Sequence, residues 1–246
     1  MELIYEQTLT ITENLVDRYG RAKPSVLLYC MQEAAGQHCK LLGADHSVLS
    51  EKNLFWAVTR SRVQITRLPR LGEQIHLKTW PMPTTRVAYP RCVTAFDRDG
   101  RELFNAISLW VLMDSDTRAM VLPGKSGVDV QGLLTGNEIA GPGSIVPADQ
   151  SQSADRQVVF SELDRNGHLN NTRYMDWVAD LLPAQFHKTH PAREFTICYL
   201  SEALEGQQIR MEFGHTETGI FQVDGYRLQT GEHGKNTRVF SVKIQF

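Results

Sequence analysis

The 246-residue sequence is poor in the features that mark several common protein classes. It contains only four cysteines, which are widely spread and form no CxxC pair: Cys30, Cys39, Cys92 and Cys198. A disulfide framework or a zinc site needs closer and recurring ligand spacings. The sequence therefore predicts buried, reduced thiols in a cytoplasmic protein, with no metal and no cofactor.

Charge and hydropathy exclude further classes. The 26 Lys and Arg residues nearly balance 28 Asp and Glu residues, giving a formal net charge of −2. Nucleic-acid-binding domains are usually strongly basic instead. No apolar run approaches the roughly 18 residues of a membrane span, and the N-terminus lacks the basic and apolar regions of a signal peptide. We expect a globular protein with no nucleic-acid partner and no membrane span.

The second half of the sequence repeats a pattern of the first half. Residues 63–75 are typical of a strand, a turn through Gly72 and the start of another strand, and residues 197–209 repeat this order around Gly206. The offset between the two glycines is 206 − 72 = 134. Because the agreement extends across strand, turn and strand, it predicts an internal duplication.

Each copy is predicted to hold one apolar helix and several antiparallel strands. Apolar side chains recur at helical spacing over roughly 24–42 and 171–182, and alternate over 239–246 as in a half-buried strand. A sheet packed around each helix gives an α+β fold. Glycine and proline are frequent between the copies. We therefore expect an N-terminal domain at 1–125, a linker at 126–154 and a C-terminal domain at 155–246.

Polar residues that could carry chemistry cluster just before the second helix. Asp164, Asn166 and His168 are spaced by two, so their side chains converge in an extended or turning segment. His168 can transfer a proton near neutral pH. Asp164 can orient the imidazole or accept backbone N–H groups, and Asn166 can hold a carbonyl or a water. The following helix start offers N–H donors for an oxyanion.

The spacing alone leaves a purely structural interpretation open, because Asp and Asn before a helix are also ordinary caps and turn formers. The sequence has no GxSxG, HExxH or P-loop motif that would point to another chemistry.

Residues 163–174 resemble the D-x-N-x-H-x-N-N-x-x-Y signature of plant and bacterial acyl-acyl carrier protein thioesterases. Residues 53–60 resemble the N-L-x-W-x-V-T-R strand of that family, and Gln32-Glu33 with His38 resembles its Q-E-x-x-x-x-H helix. Further matches follow in order at 71–81 and 113–118, so the resemblance covers nearly the whole chain.

The resemblance implies two tandem hotdog domains, each an antiparallel sheet wrapped around a long central helix. It assigns the catalytic roles to Asp164, Asn166, His168 and Glu202. The family's cysteine next to this glutamate is Ala203 here. We therefore expect attack by water, with no covalent acyl-enzyme. No D-x-N-x-H run precedes the first helix, so the N-terminal domain is expected to be catalytically silent and to shape the acyl pocket.

The implied activity is hydrolysis of the thioester of fatty acyl-acyl carrier protein, which releases free fatty acid and ends chain elongation. The implied partner is an acyl carrier protein bearing the acyl-phosphopantetheine group. Arg165 and Arg173 flank the catalytic run and are candidate docking residues. An acyl-coenzyme A thioesterase and a non-catalytic acyl-binding protein are the alternatives, since many functions share one fold. The pattern leaves homodimer formation and acyl chain length open.

Overall fold

The chain folds into two compact units, residues 1–142 (the N-unit) and 143–246 (the C-unit). A computed structural model describes residues 3–136, 139–216, 218–228 and 236–246. Each unit combines an antiparallel sheet with helices.

The N-unit contains a sheet with strand order β1-β3-β4-β5-β2, and the short β6 pairs with β5. The elements of this unit are β1 (Tyr5–Thr10), α1 (Pro24–Leu41), α2 (His46–Ser50), β2 (Leu54–Ile65), β3 (Gln74–Pro81), β4 (Tyr89–Phe96), β5 (Glu102–Asp114), β6 (Met120–Val121) and α3 (Pro123–Ser126). β5 lies between β4 and β2, which explains why its sequence is apolar on both faces.

Helix α1 is the central helix of the N-unit. Pro24 occupies the first turn, where its missing N–H costs nothing, and Gly43 follows the end of the helix with a φ of 66°. Nine of its residues are buried, which is consistent with the predicted helix over 24–42: Ser25, Val26, Leu27, Leu28, Cys30, Met31, Ala34, Ala35 and His38.

The C-unit contains a sheet with strand order β8-β11-β10-β9-β7. Its elements are β7 (Gln152–Gln157), α4 (Arg173–Asp180), α5 (Ala184–Thr189), β8 (Glu194–Tyr199), β9 (Gln208–His215), β10 (Phe221–Arg227) and β11 (Thr237–Gln245). Tyr174 of α4 packs on the sheet, with its ring 4.7 Å from the ring of Phe240. The ring of Phe240 also fills the space that a side chain at Gly225 would need, which accounts for glycine there.

The two units share the duplicated strand–turn–strand pattern in register. β2 ends at Ile65 and β8 at Tyr199, and the next strands begin at Gln74 and Gln208, so both offsets are 134. The glycines of the two turns have the same φ of 78°. The second helix is shorter than the predicted range 171–182, because residues 170–172 form a turn before α4 and Pro183 follows soon after it.

The segment between α3 and β7 contributes its first part to the N-unit and its last part to the C-unit. Val130 and Ile145 are buried, and the backbone N–H of Leu133 donates to the carbonyl of Pro81 in the N-unit. Strand β7 begins at Gln152, inside the region expected to be a linker. In the C-unit, Gln222 donates from Nε2 to the carbonyl of Val146, 3.0 Å away.

A buried carboxylate joins this segment to the C-unit sheet. Asp224 is fully buried and accepts hydrogen bonds from Ser241 Oγ, from Gln222 Nε2 at 2.8 Å and from the backbone N–H of Ala148 at 3.4 Å. Arg238 Nη1 lies 3.8 Å from its Oδ1 and also donates to the carbonyl of Ile145. One side chain thus satisfies donors from two strands and the segment that crosses them.

Replacing Asp224 with alanine leaves these donors without their acceptor inside the protein. We expect the free energy of unfolding to fall by about 2–4 kcal/mol, because buried donors lose the carboxylate that accepts their hydrogen bonds. Urea denaturation followed by circular dichroism measures this change. The control is Asp155→Ala, which removes an exposed ion pair with Arg210 and should cost less than about 1 kcal/mol. Equal losses in both variants would contradict the role given to Asp224.

Candidate active site

The segment that carries the predicted catalytic residues is a tight loop, held by its own backbone. The N–H of Asp164 donates to the carbonyl of His168 at 2.7 Å, and the N–H of Gly167 donates to the carbonyl of Asp164 at 3.1 Å. Gly167 adopts a φ of 79°, which glycine tolerates without strain. The loop therefore reverses direction, so the alternation of an extended strand does not apply to it.

The Asp164 carboxylate is used to build this loop. Its Oδ1 accepts hydrogen bonds from the backbone N–H groups of Asn166, at 2.8 Å, and His168, at 3.1 Å. Of the two roles that the sequence leaves open for Asp164, the structure shows the acceptance of backbone N–H groups.

His168 and Glu202 are brought together by the pairing of the loop with the turn after β8. The N–H of Leu169 donates to the carbonyl of Ala203 at 2.8 Å, and His168 forms an isolated β-bridge with Leu204. His168 Nε2 then lies 3.3 Å from Glu202 Oε2. The imidazole is 12% exposed and the carboxylate 43%, so a solvent-accessible carboxylate contacts a largely buried imidazole.

Asn166 and the start of α4 differ in what they offer a ligand. Asn166 is exposed, and its side-chain amide has no hydrogen-bond partner in the part of the chain that the structure describes. By contrast, the N–H groups of Thr172 and Arg173 donate to Asn170, at 3.0 Å to Oδ1 and 2.9 Å to the carbonyl. These two N–H groups are therefore occupied, and the expected oxyanion donors at the helix start are not available from them.

Residues that the sequence analysis did not single out anchor the loop to α4. Trp177 is fully buried and donates from Nε1 to Glu162 Oε1 at 2.8 Å. The carbonyl of Glu162 accepts the N–H of Asn170 at 2.9 Å, and Arg156 donates to Glu162 Oε1 at 3.3 Å. The indole N–H of a buried tryptophan needs a hydrogen-bond acceptor. Trp177, on the apolar side of a short helix, is therefore the one sequence feature that could have indicated this anchor.

Two tyrosines lie beneath the loop. Tyr199 donates from its hydroxyl to the carbonyl of Asn171 at 3.0 Å, and its ring centroid lies 5.7 Å from that of Tyr174. Burial raises the pKa of Tyr174, and the negative charges of Asp164 and Glu202 raise it further. Burial also raises the pKa of Tyr199. Both side chains therefore remain neutral phenols at physiological pH.

The N-unit contains a second copy of this loop. The N–H of Asp17 donates to the carbonyl of Arg21, at 2.7 Å, and the N–H of Gly20 donates to the carbonyl of Asp17, at 3.0 Å. Oδ1 of Asp17 accepts the N–H groups of Tyr19, at 2.8 Å, and Arg21, at 3.0 Å. The N–H of Ala22 donates to the carbonyl of Pro69 at 2.7 Å, as that of Leu169 does to Ala203.

The N-unit loop has the same backbone hydrogen bonds as the C-unit loop but lacks its candidate catalytic side chains. The loops are offset by 164 − 17 = 147 residues, so Tyr19 and Arg21 stand where the C-unit has Asn166 and His168. By the strand offset, Leu68 stands at the position of Glu202 (202 − 134 = 68). The loop offset of 147 exceeds the strand offset of 134 by 13. The C-unit is therefore 13 residues shorter than the N-unit between the loop and the end of the following strand, and this stretch contains its shorter central helix.

The N-unit contains a cavity of about 350 Å³ between the second half of α1 and the inner face of the sheet. Aromatic and apolar side chains form much of its wall, among them Trp56, Tyr89 and Trp110. Its volume falls at the lower end of the range of small-molecule sites. The cavity is therefore large enough for an aliphatic chain.

No group of three or more His, Cys, Asp or Glu side chains arranged to hold a metal ion occurs among the described residues. No helix in the described ranges is long and apolar enough to cross a membrane.

Known proteins similar in sequence share one family. The family model described as the acyl-ACP thioesterase N-terminal domain, where ACP is acyl carrier protein, matches residues 2–122, and the C-terminal domain model matches residues 145–245. The chain is 26% identical to a chloroplastic palmitoyl-acyl carrier protein thioesterase of Gossypium hirsutum, over 81% of this chain and 52% of that protein. It is 23% identical to a chloroplastic dodecanoyl-[acyl-carrier-protein] hydrolase of Umbellularia californica, over 89% and 62%. The chain thus spans about half the length of curated relatives that it matches.

Solved structures give the same result for the fold. The chain matches an acyl-ACP thioesterase from Bacteroides thetaiotaomicron with a TM-score of 0.88 and 25% identity, covering 98% of this chain and 97% of that one. It matches the 12:0-ACP thioesterase from Umbellularia californica with a TM-score of 0.82 and 20% identity, covering 100% and 97%. The predicted α+β fold of two tandem hotdog domains is confirmed. The chain belongs to the acyl-ACP thioesterase family.

Proposed function

We propose that this protein hydrolyses the thioester of a fatty acyl group carried on acyl carrier protein, releasing free fatty acid. The observation that carries the proposal is the 3.3 Å contact between His168 Nε2 and Glu202 Oε2, at the rim of the loop that carries Asn166. Family membership and the names of the relatives support the choice of a thioester substrate.

The proposed reaction is a direct attack by water on the thioester carbonyl. The Glu202–His168 pair takes a proton from the water as its oxygen bonds to the carbonyl carbon. The carbon–sulfur bond then breaks, and the proton passes from the pair to the leaving thiolate, which gives the free thiol and the fatty acid. Because the contact joins a carboxylate to an imidazole, either group can hold the proton between the two steps.

Asn166 and Asp164 have different proposed roles. The exposed amide of Asn166 donates to the carbonyl oxygen of the thioester, where negative charge develops as water attacks. Asp164 acts as a positioning residue, since its Oδ1 holds the backbone N–H groups of Asn166 and His168. Its effect on catalysis then passes through the geometry of the loop.

No covalent acyl-enzyme is part of this proposal. Ala203 follows Glu202 and has no nucleophile, and Cys198 is buried in β8. Single-turnover reactions quenched in acid and examined by mass spectrometry should show unmodified protein at every time point. An acyl group retained on the protein would contradict direct attack by water.

The N-unit is proposed to hold the acyl chain, with no catalytic role of its own. Its loop carries Tyr19 and Arg21 in place of an amide and an imidazole, and Leu68 in place of a carboxylate. The cavity beside α1 supplies apolar walls for an aliphatic chain. We also propose a cytoplasmic location, which is compatible with four cysteines that form no disulfide in the structure.

Hydrolysis of thioesters across chain lengths tests the proposal. Acyl groups of six to eighteen carbons, on acyl carrier protein and on coenzyme A, are the substrates. We expect kcat/KM to be higher for the carrier-bound series at its best chain length. A higher value for coenzyme A would support the alternative carrier, and no hydrolysis of either series would leave acyl binding as the function.

A further prediction concerns the docking of the carrier, which is a small acidic protein. Arg165 is exposed and has no side-chain partner among the described residues, whereas Arg173 pairs with Asp176 at 3.2 Å. We expect Arg165→Glu to raise KM for carrier-bound substrates about fivefold or more at low salt, and Arg173→Glu to act in the same direction. The effect should shrink as salt screens exposed charges.

The matched control for this charge reversal is Arg98→Glu, at an exposed arginine of the β4–β5 turn in the N-unit. It should leave KM unchanged. A short soluble thioester should be hydrolysed normally by all three variants. Equal losses on the carrier-bound and the soluble substrate would show that Arg165 and Arg173 serve the catalytic loop and not docking.

A further inference from the structure

An arginine that pairs with no acidic side chain of the described ranges forms part of the wall of the N-unit cavity. Arg91, on β4, is only 5% exposed, and it lines the cavity together with Trp56, Tyr89 and Trp110. Burial lowers the pKa of its guanidinium, which reflects the cost of keeping a cation away from water. Buried charges in proteins are normally paired with a charge of opposite sign.

The three acceptors of Arg91 are all uncharged groups. Its Nη1 donates to His38 Nδ1 at 3.1 Å and to Thr79 Oγ1 at 3.2 Å, and its Nη2 lies 3.8 Å from Cys39 Sγ. A guanidinium has five N–H donors, so these contacts leave Nε–H and one N–H of Nη2. Within the described part of the chain, these two donors have no recorded acceptor.

The acidic residues of the cavity do not neutralise this cation. Glu33 and Asp45 also line the cavity, yet neither forms an ion pair with Arg91 in the described ranges. Asp45 instead caps α2 through the backbone N–H of Val48 and accepts from Ser47. Among the described residues of this unit, the positive charge of Arg91 therefore has no counter-ion.

Polar side chains continue from Arg91 across the sheet. Arg91 is the register partner of Ser108 on β5, and Ser108 is the register partner of Ser61 on β2. Register partners project on the same face of a sheet, so the three side chains form one row. Ser108 Oγ accepts from Nε1 of Trp110 at 2.8 Å, and Trp110 itself lines the cavity. The wall of the cavity thus combines aromatic side chains with the cation of Arg91, and Lys40 of α1 is a second cation in this wall.

We propose that the N-unit cavity binds a carboxylate at the end of an aliphatic chain, with Arg91 pairing with the carboxylate. Two remaining N–H donors on one guanidinium match the two oxygens of a carboxylate, which is the strongest pairing that arginine forms. The aromatic walls cover the chain, and the carboxylate supplies the missing counter-ion. A neutral ligand of the same length would leave the cation unpaired.

The carboxylate could come from two sources. One is a free fatty acid, which is the product of the proposed reaction and would then act as an inhibitor that occupies the cavity. The other is the distal carboxylate of a dicarboxylic acyl group, in which case the cavity selects the substrate. The second source rests on the proposed function, whereas binding of a free acid can be measured without any turnover.

Equilibrium binding of decanoate and decan-1-ol tests the pairing, because the two probes share a chain and differ in charge. Isothermal titration calorimetry gives both affinities, and quenching of tryptophan fluorescence by the bound chain gives a second signal. We expect wild-type protein to bind decanoate about tenfold or more tightly than decan-1-ol. Arg91→Gln should weaken decanoate binding about tenfold and leave decan-1-ol within about threefold.

The control variant is His168→Ala, which alters the C-unit loop and should leave decanoate affinity unchanged. Equal affinities of the wild-type protein for the two probes would overturn the proposal, and this comparison holds even if Arg91→Gln fails to fold. An unchanged decanoate affinity in folded Arg91→Gln would overturn it as well. Loss of decanoate binding in His168→Ala would place the ligand in the catalytic loop and not in the cavity.

Hydrolysis of matched thioesters separates the two sources. Adipoyl and hexanoyl N-acetylcysteamine thioesters have the same number of carbons and differ in a distal carboxylate. Faster hydrolysis of the adipoyl substrate, lost in Arg91→Gln, would identify a dicarboxylic acyl group. Slower hydrolysis of the adipoyl substrate, with inhibition of the hexanoyl substrate by decanoate, would identify a free fatty acid. If no thioester is hydrolysed, the proposed function fails while the binding result still decides on Arg91.

Discussion

Replacing His168 with alanine is expected to lower kcat for acyl thioester hydrolysis by about 10²-fold or more, because proton transfer to and from the substrate loses its imidazole. Glu202→Gln should have an effect of similar size, since Glu202 Oε2 contacts the imidazole at 3.3 Å. The double variant should lose little more than either single variant, as expected for groups that act as one unit. Steady-state kinetics on one acyl carrier protein substrate measures all three values.

The matched control is His215→Ala, at an exposed histidine of β9 in the C-unit. It should leave kcat within about twofold of wild type, and circular dichroism should show that every variant is folded. Near-normal turnover in folded Glu202→Gln would remove Glu202 from the mechanism. Multiplicative losses in the double variant would show that His168 and Glu202 act independently.

The fold could be predicted from sequence because its signals are local and repeated. The helical spacing of apolar residues between Pro24 and Gly43 predicts α1, and the alternation over 239–246 predicts β11. The duplication offset of 134 holds in the strands because both glycines, Gly72 and Gly206, adopt the same left-handed conformation. Each of these features depends on a few neighbouring residues.

The geometry of the site depends on contacts between residues that are far apart in the sequence. Such contacts are harder to predict from local sequence patterns. Spacing by two predicts a common direction for Asp164, Asn166 and His168 only in an extended chain, and Gly167 reverses the chain instead. The neighbourhood of Glu202 and His168 requires pairing between segments 34 residues apart (202 − 168 = 34). The resemblance to a family supplied Glu202, since no local pattern indicates it.

The hydrogen bonding of the N–H groups at the start of α4 is another feature that the sequence does not specify. Asn170 lies two residues before Thr172, the N-cap residue of α4. In the structure it binds two backbone N–H groups, through its side chain to Thr172 and through its carbonyl to Arg173. A sequence pattern gives the type of capping residue without saying which donors it takes. The amide of Asn166 is therefore the better candidate for contacting the thioester carbonyl.

The two copies of the loop distinguish the residue that holds its backbone from the residues that carry the proposed chemistry. Asp17 and Asp164 accept the same two backbone N–H groups, yet only the C-unit loop carries an amide and an imidazole. The aspartate is thus common to both copies of the loop, one with and one without the catalytic amide and imidazole. Its proposed contribution is to fix the backbone that carries Asn166 and His168.

We expect Asp164→Ala and Asp164→Asn to differ widely in kcat. Alanine removes the oxygen that accepts both hydrogen bonds, so kcat should fall about 10²-fold or more as His168 loses its position. Asparagine keeps an acceptor oxygen for the two N–H groups, so kcat should remain within about tenfold of wild type, with an unchanged pH profile. A loss in Asp164→Asn as large as in Asp164→Ala would mean that the negative charge itself takes part in the reaction.

The corresponding changes in the N-unit complete the comparison. Asp17→Ala removes the same pair of hydrogen bonds and should lower the free energy of unfolding by about 1–3 kcal/mol, with kcat within about twofold of wild type. Asp17→Asn should recover much of that stability while losing the ion pair with Arg21. If Asp17→Ala also lowered kcat about 10²-fold, the loss in Asp164→Ala could not be attributed to the position of His168. An effect on kcat confined to the C-unit, with a stability cost in both units, is the result that a positioning role requires.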